Sequence, residues 1–225
     1  MQYDWILFDA DETLFHFDAF AGLQKAFSEY GVDFTESDFE EYQSKNKPLW
    51  VQYQNDEIDA ETLKQRRFEL WAKRLNVSEK ALNSAFLLAM AEVCTPLDGV
   101  IDLLDCLKDQ AKLAIITNGF TDLQKVRLEK NGLQTTFEFL AISEQVGAAK
   151  PSKRIFDYAF DKMGRPAKEK VLMVGDTLKS DILGGLNAGM DTCWYNPHQY
   201  ENTEGITPTF EVSSHQALKE RLIQA

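Results

Sequence analysis

Cysteine is scarce in this chain of 225 residues: Cys94, Cys106 and Cys193 lie far apart, with no Cys-x-x-Cys spacing. An odd, unclustered set argues against a disulfide frame or a zinc ribbon and fits reduced thiols in the cytosol. Each is expected as a small buried hydrophobe. Long apolar runs are missing too. No stretch approaches the roughly 20 residues that span a bilayer. The run after Met1 is short, lacks a basic flank and breaks on Asp9, so no signal peptide is expected. Positive charge is in deficit: 24 Lys and Arg against 36 Asp and Glu leave a net charge of -12. That balance argues against a nucleic-acid duplex or an anionic membrane as partner, while leaving room for a small anion held by one local site. The three histidines, His16, His198 and His215, are scattered and expected at the surface rather than on a metal. Repeats and low-complexity segments are absent. A soluble, cytoplasmic protein is expected.

Apolar residues are plentiful, at 44% hydrophobic and 12% aromatic, which excludes a disordered chain. The length suits one large domain or two of unequal size. Five short apolar runs end in small or polar residues: "WILF" (5–8), "KLAIIT" (112–117), "FEFLAI" (137–142), "KVLMVG" (170–175) and "TCWY" (192–195). Such runs predict strands buried on both faces of a parallel sheet. Helical patterns separate the later ones. "DLQKVRLEKNG" puts Leu123, Val126 and Leu128 near one face and closes on Gly132; "KSDILGGLNAG" does the same with Ile182, Leu183 and Leu186 and closes on Gly189. "HQALKERLIQA" is expected to close the chain. This rhythm predicts an α/β fold with a doubly wound, mostly parallel sheet.

Residues 16–95 break the rhythm and predict four helices with no strand. Phe17, Phe20, Leu23 and Phe27 recur at helical spacing, and Thr35 with Asp38 resembles a capping box. Asp59 and Ser78 are expected N-caps. The expected division is a core of residues 1–15 and 96–225 with an inserted cap of residues 16–95. A module inserted directly after the first strand is expected to hang over the carboxyl edge of the sheet, where ligands of such sheets sit.

The residues after each strand form a pattern of their own. Asp9, Asp11 and Glu12 follow the first run and Thr117, Asn118 and Gly119 the second. Lys150 precedes a helix in "GAAKP", and Asp176 and Asp181 follow the fourth run in "GDTLKSD". Singly, each has a plain structural use, since Asp caps turns and Asn-Gly makes hairpins. Together, all at strand ends, five acids, one hydroxyl and one ammonium fit a divalent metal and a phosphate.

"DADET", "TNG", "KP" and "GDTLKSD" resemble the four motifs of the haloacid dehalogenase superfamily, and the helical insertion resembles its cap. The resemblance spans essentially the whole chain. Within the superfamily, "NKPLW" and "GDTLKSDILGGLNAG" look closest to bacterial pyrimidine nucleoside 5′-monophosphate phosphatases. The resemblance implies Mg²⁺, with Mn²⁺ as a substitute, on the carboxylates of Asp9 and Asp176 and the backbone carbonyl of Asp11, with Asp181 an outer or alternative ligand. It implies Asp9 as the nucleophile that becomes phosphorylated and Lys150 as its neutralising cation. The Thr117 hydroxyl and the N–H groups of Asn118 and Gly119 would hold phosphoryl oxygens, and Asp11 would act as general acid and then base. Dehalogenating members lack an acid at the position of Asp11, because a halide leaves without a proton, so dehalogenation is not expected.

The partner implied is a small-molecule phosphate ester, a nucleoside monophosphate, and the expected assembly is a monomer or weak dimer. A sugar-phosphate phosphatase or phosphomutase with the same motifs stays open. A non-catalytic phospho-accepting receiver module is the remote alternative, although its accepting Asp follows a middle strand. Phe17, Phe20, Trp50, Tyr53, Phe68 and Trp71 are candidates to stack on a base, yet aromatics at helical spacing mostly fill a bundle core. Asn46 and Trp50 are the two singled out, an amide to read a pyrimidine edge and an indole to stack on it.

Overall fold

The apolar runs become strands because each is apolar at successive positions, leaving no face fit for water. The computed structural model describes residues 1–224; Ala225, the last residue of the expected closing helix, lies outside the described residues. In chain order the elements are β1 (Trp5–Phe8), α1 (Ala19–Ser28), α2 (Glu36–Gln54), α3 (Ala60–Arg66), α4 (Glu69–Leu75), α5 (Glu79–Val93), α6 (Val100–Leu107), β2 (Lys112–Thr117) and α7 (Thr121–Lys130). There follow β3 (Phe139–Ile142), α8 (Ser143–Val146), α9 (Lys153–Lys162), β4 (Val171–Gly175), α10 (Leu183–Ala188), β5 (Asp191–Tyr195), β6 (Phe210–Val212) and α11 (His215–Gln224). The chain divides into two units, Met1–His16 with Pro96–Asn118 and everything from Gly132, and Phe17–Thr95 with Gly119–Asn131.

The first unit holds six strands in the order β3-β2-β1-β4-β5-β6, every pair parallel. The doubly wound parallel sheet is as expected, with β6 an added edge strand. In register, Phe8 pairs with Ile115 on one side and Val174 on the other, so the residues that follow β1, β2 and β4 emerge at one edge. One face of the sheet is sealed by Leu7, Ile116, Ala141, Met173 and the α9 residues Ile155, Phe156 and Phe160. Close approach there needs glycine: a Cβ on Gly184 would overlap the Phe156 ring, and one on Gly185 would meet Thr192 and Met173. Those two glycines, more than the half-buried Leu183 and Leu186, form the buried side of α10.

The helical unit has five helices between residues 17 and 95 where four were expected. The third expected helix breaks at Arg67 and Phe68, and α4 begins afresh with Phe68 as its N-cap. The break lets both side chains turn inward: Phe68 and Arg67 are buried. The caps follow the sequence, with Thr35 and Asp38 forming a capping box and Asp59 and Ser78 accepting from their third residues. Gly119–Asn131, expected in the core, clusters with this unit instead, because α7 turns Leu123 and Leu128 inward and packs on α5. Phe27, Phe34 and Trp71 form an aromatic knot with centroids 4.7–5.4 Å apart, and Phe68 stacks between Tyr42 and Phe86. Phe68, Trp71 and Tyr53 are therefore bundle core, whereas Phe17, Phe20 and Trp50 stay half-exposed. No helix among the described residues is long and apolar enough to cross a membrane.

Candidate active site

Asp9 is the first residue past β1, pinned by its N–H to the Val174 carbonyl at 2.8 Å. The chain then folds back at once. Glu12 N–H donates to Phe15 O at 2.8 Å and Phe15 N–H to Ala10 O at 2.9 Å, with Glu12 itself at φ +55°. Glu12 sits 3.3 Å from the exposed His16 ring, so it stands apart from the acidic cluster that follows.

Lys150 is almost wholly buried and lies between two carboxylates. Its Nζ donates to Asp9 Oδ1 and sits 2.7 Å from Asp181 Oδ1. The second contact is an ion pair without directed hydrogen-bond geometry, which leaves Asp181 Oδ1 without a hydrogen-bond donor. Burial works against the ammonium, but Asp181 and Asp9 outweigh it and hold Lys150 protonated. The Asn118 side chain fixes the backbone of this lysine: Lys150 N–H donates to Asn118 Oδ1 at 2.6 Å, and Asn118 Nδ2 donates to Lys150 O at 3.0 Å. The amide is thus spent on positioning Lys150, a use that the sequence reading, which employed only the Asn118 backbone, did not include.

Asp176 and Asp181 come from the loop and single π turn (Leu178–Ile182) after β4, a local geometry frequent at functional sites. Asp181 Oδ2 accepts the Thr177 N–H at 3.0 Å. The carboxylate fits only because residue 175 is glycine, since a Cβ there would overlap it. Trp194 Nε1–H donates to the Asp176 carbonyl at 2.8 Å and steadies the loop from β5. The hydroxyls of Thr13 and Thr177 lie 3.4 Å from Asp176 Oδ1.

Asp9, Asp176 and Asp181 each offer an oxygen, all within 4.8 Å of one another. Burial and the charge of Asp181 push Asp176 up to about 7. Burial likewise holds Asp9 well above the usual carboxylate range, with Lys150 opposing that rise and the neighbouring acids adding to it. Crowded carboxylates, two of which resist ionising, are the donor set a hard divalent cation relieves. The residues fit such an ion. Asp11 contributes no carboxylate oxygen to this cluster and is half-exposed.

Of the remaining expected residues, Thr117 is the buried last residue of β2, and Gly119 is the buried residue that opens the 119–131 segment of the helical unit. Asn46 and Trp50 lie on α2 in the helical unit. Sequence reading missed Trp194 and Thr13; Thr13 shares the strand-like parity of Asp9 and Asp11 and so carried a signal. It also misplaced His215. That residue is buried, with Nδ1 3.0 Å from Asp98 O and Nε2 2.8 Å from Thr13 O. It braces the loop after β1 from α11 instead of facing water.

The profile of the haloacid dehalogenase-like hydrolase family matches residues 3–189. The chain is 58% identical over 222 residues to the pyrimidine 5′-nucleotidase YjjG of Escherichia coli K12, covering 99% of each. It is 36% identical to the pyrimidine 5′-nucleotidase PynA of Streptococcus pneumoniae, over 97% of this chain and 94% of that one. Among solved structures, the putative HAD-hydrolase YfnB of Bacillus subtilis, bound to magnesium, superposes with a TM-score of 0.83 at 30% identity and covers 99% of both chains. An acid held by a buried lysine at a strand tip, with two more acids from the loop after β4, is thus found in a chain that belongs to the haloacid dehalogenase-like hydrolases.

Proposed function

We propose that this chain is a Mg²⁺-dependent phosphomonoesterase whose substrates are pyrimidine nucleoside 5′-monophosphates. The observation that carries the chemistry is the Asp9–Lys150–Asp181 contact beside Asp176. A carboxylate approaching a phosphate dianion 4 Å away at an effective dielectric of 20 meets roughly 8 kcal/mol of repulsion. Lys150 supplies one fixed positive charge against it from a buried position. The carboxylates of Asp9 and Asp176 and the Asp11 carbonyl would hold Mg²⁺, or Mn²⁺ in its place, with Asp181 beside them. When bound, such an ion supplies charge neutralisation at the phosphoryl oxygens.

The chain's own residues divide the remaining work. An Asp9 oxygen attacks phosphorus and the bond to the ester oxygen breaks, leaving a phosphoryl group on Asp9. Asp11 gives its proton to the departing alkoxide and then takes one from the water that attacks the acyl phosphate. Inorganic phosphate leaves and Asp9 is restored. The Thr117 hydroxyl and the backbone N–H groups at Asn118 and Gly119 hold the phosphoryl oxygens during both transfers.

The pyrimidine specificity rests on the likeness to two pyrimidine 5′-nucleotidases. A phosphate-release screen with Mg²⁺ over pyrimidine, purine and sugar monophosphates tests it. Pyrimidine nucleotides should lead in kcat/KM. Release from sugar phosphates alone would replace the substrate class, and turnover without inorganic phosphate would point to a mutase.

A further inference from the structure

The turn after β1 is tied to the last helix of the chain through one side chain. His215 is the first residue of α11, and Ser214 Oγ, just ahead of it, accepts the Ala217 N–H at 3.1 Å. The imidazole is buried. Its face lies against the ring of Tyr195, the last residue of β5, with centroids 4.4 Å apart. Lys219 of α11 lies 2.6 Å from Asp102 of α6. A Cβ on Gly99 would stand 3.2 Å from the His215 Cβ, so a bare backbone lets α11 seat this closely. Cap, ring stack and ion pair leave the imidazole little freedom to turn.

Both ring nitrogens face backbone carbonyls, Nε2 at 2.8 Å from Thr13 O and Nδ1 at 3.0 Å from Asp98 O. A neutral imidazole donates from one nitrogen only, and burial opposes the doubly protonated ring. The shorter contact falls on Thr13, which lies in the same turn as Asp11. Inside, that turn is closed by Glu12 N–H on Phe15 O and by the N–H groups of Leu14 and Phe15 on Ala10 O. Glu12 nevertheless sits in left-handed backbone, φ +55°, a conformation that a non-glycine residue keeps only where its neighbours enforce it. From outside, the turn is gripped at Asp9, whose N–H donates to Val174 O, and at Leu14, whose carbonyl accepts from Leu97 N–H at 2.9 Å. Between those two points the grip is the His215 ring on the buried Thr13.

We infer that His215 is a positioning residue for proton transfer: its Nε2–H holds the Thr13 carbonyl, and through that turn it fixes where the Asp11 carboxyl meets the leaving oxygen. This rests on the phosphomonoesterase reading, with Asp11 as acid and then base, and adds the group that keeps the acid in place. A displacement of about 1 Å in such a group costs about 10²-fold in rate.

Amide side chains separate the two ring contacts. The glutamine Nε2 can take the place of the imidazole Nε2 and the asparagine Nδ2 that of Nδ1. His215→Gln therefore keeps a donor for Thr13, and His215→Asn keeps one for Asp98. The readout is kcat/KM, which covers the steps up to departure of the leaving group. It is compared between para-nitrophenyl phosphate and the alkyl monophosphate that leads the phosphate-release screen, dUMP on the reading above. The alkyl ester expels an alkoxide that must take a proton; the aryl ester expels a phenolate that is stable without one. Asp11→Asn should lower the alkyl-to-aryl ratio by about 10²-fold or more, and His215→Asn by at least about tenfold. His215→Gln should restore the ratio to near the wild-type value. Joined to Asp11→Asn, His215→Asn should lower it no further, since the brace acts through that carboxyl. A ratio equally low in His215→Gln, unchanged in His215→Asn or lower still in the double variant overturns the inference. Parallel losses on both substrates assign His215 to the fold and overturn it too. Losses that added Mg²⁺ repairs also overturn it, because they assign the effect to Asp176 through the Thr13 hydroxyl, 3.4 Å from that carboxylate. If His215→Asn does not fold, ring ¹⁵N–¹H correlations of the wild type decide alone: a proton on Nε2 is expected, and one confined to Nδ1 overturns the assignment. An Asp11→Asn enzyme without a leaving-group effect defeats the acid–base reading itself, a separate outcome seen before any His215 variant is made.

Discussion

Asp9 and Asp11 are two residues apart yet occupy different electrostatic worlds. Asp9 is buried against Lys150 and beside Asp176 and Asp181; Asp11 is half-exposed and outside that cluster. A nucleophile needs the first setting, where a fixed cation orients one oxygen. A group that gives a proton to the leaving alkoxide and takes one from water needs the second, where solvent reaches it. Asp9→Asn should therefore remove turnover by more than about 10³-fold, because a neutral amide replaces the carboxylate that attacks phosphorus. Asp11→Asn should retain substrate binding and an unchanged melting temperature while kcat falls about 10²–10⁴-fold. Single-turnover phosphate release, with the melting temperature as a control for folding, checks both. An Asp11→Asn enzyme that loses KM and kcat together would place Asp11 in binding rather than proton transfer.

At the scale of elements, glycines decide how closely helices approach the sheet. A Cβ on Gly184 would overlap the Phe156 ring of α9 and come 3.3 Å from the Pro151 Cα, next to Lys150. Overpacking of this kind costs about 1–3 kcal/mol, and a chain of this size loses about 2–4 °C per kcal/mol. Gly184→Ala should lower the melting temperature by about 3–10 °C in a thermal scan, and an unchanged value would mean that α10 can slide freely. The same elements explain what could be read in advance. Five strands were legible because each is apolar without a break, and N-caps at Thr35, Asp59 and Ser78 were legible because their chemistry is local. The strand Phe210–Val212 was not, since it is three residues long and has a charged residue in the middle. The break at Arg67 was invisible because the stretch is continuous in helix propensity; it is set by where two side chains must go, which is tertiary. His215 was misread for a related reason. A lone histidine in a polar helix carries no mark of the two backbone carbonyls that meet it from 117 and 202 residues away. The acids and the lysine of the site were legible because each follows a strand and parallel strands share an edge. The two-way bracket of Asn118 on Lys150 spans 32 residues and leaves no trace in spacing.

For the whole molecule, a net charge of -12 with three acids crowded at one strand edge makes stability depend on what neutralises them. The raised positions of Asp9 and Asp176 give the sign. Without a cation, the folded protein keeps protons on these groups that the unfolded chain, with ordinary carboxylates near 3.8, releases. Stability of the metal-free protein therefore falls as pH rises from about 4 through about 7, where Asp176 ionises. A divalent cation competes with those protons, so its binding is weak in acid and strong once the cluster is ionised. At a free Mg²⁺ concentration about 100-fold above its Kd, binding contributes about 2.7 kcal/mol, or about 5–10 °C for a chain of this size. Thermal scans with and without Mg²⁺ should show that gain at about pH 8 and lose most of it at about pH 5. Asp176→Asn removes one ligand together with its charge, and should raise the metal-free melting temperature at about pH 8 while shrinking the Mg²⁺ shift. A Mg²⁺ shift independent of pH, or one undiminished in Asp176→Asn, would mean that the ion binds elsewhere on an acidic surface and that this cluster is held together by Lys150 alone.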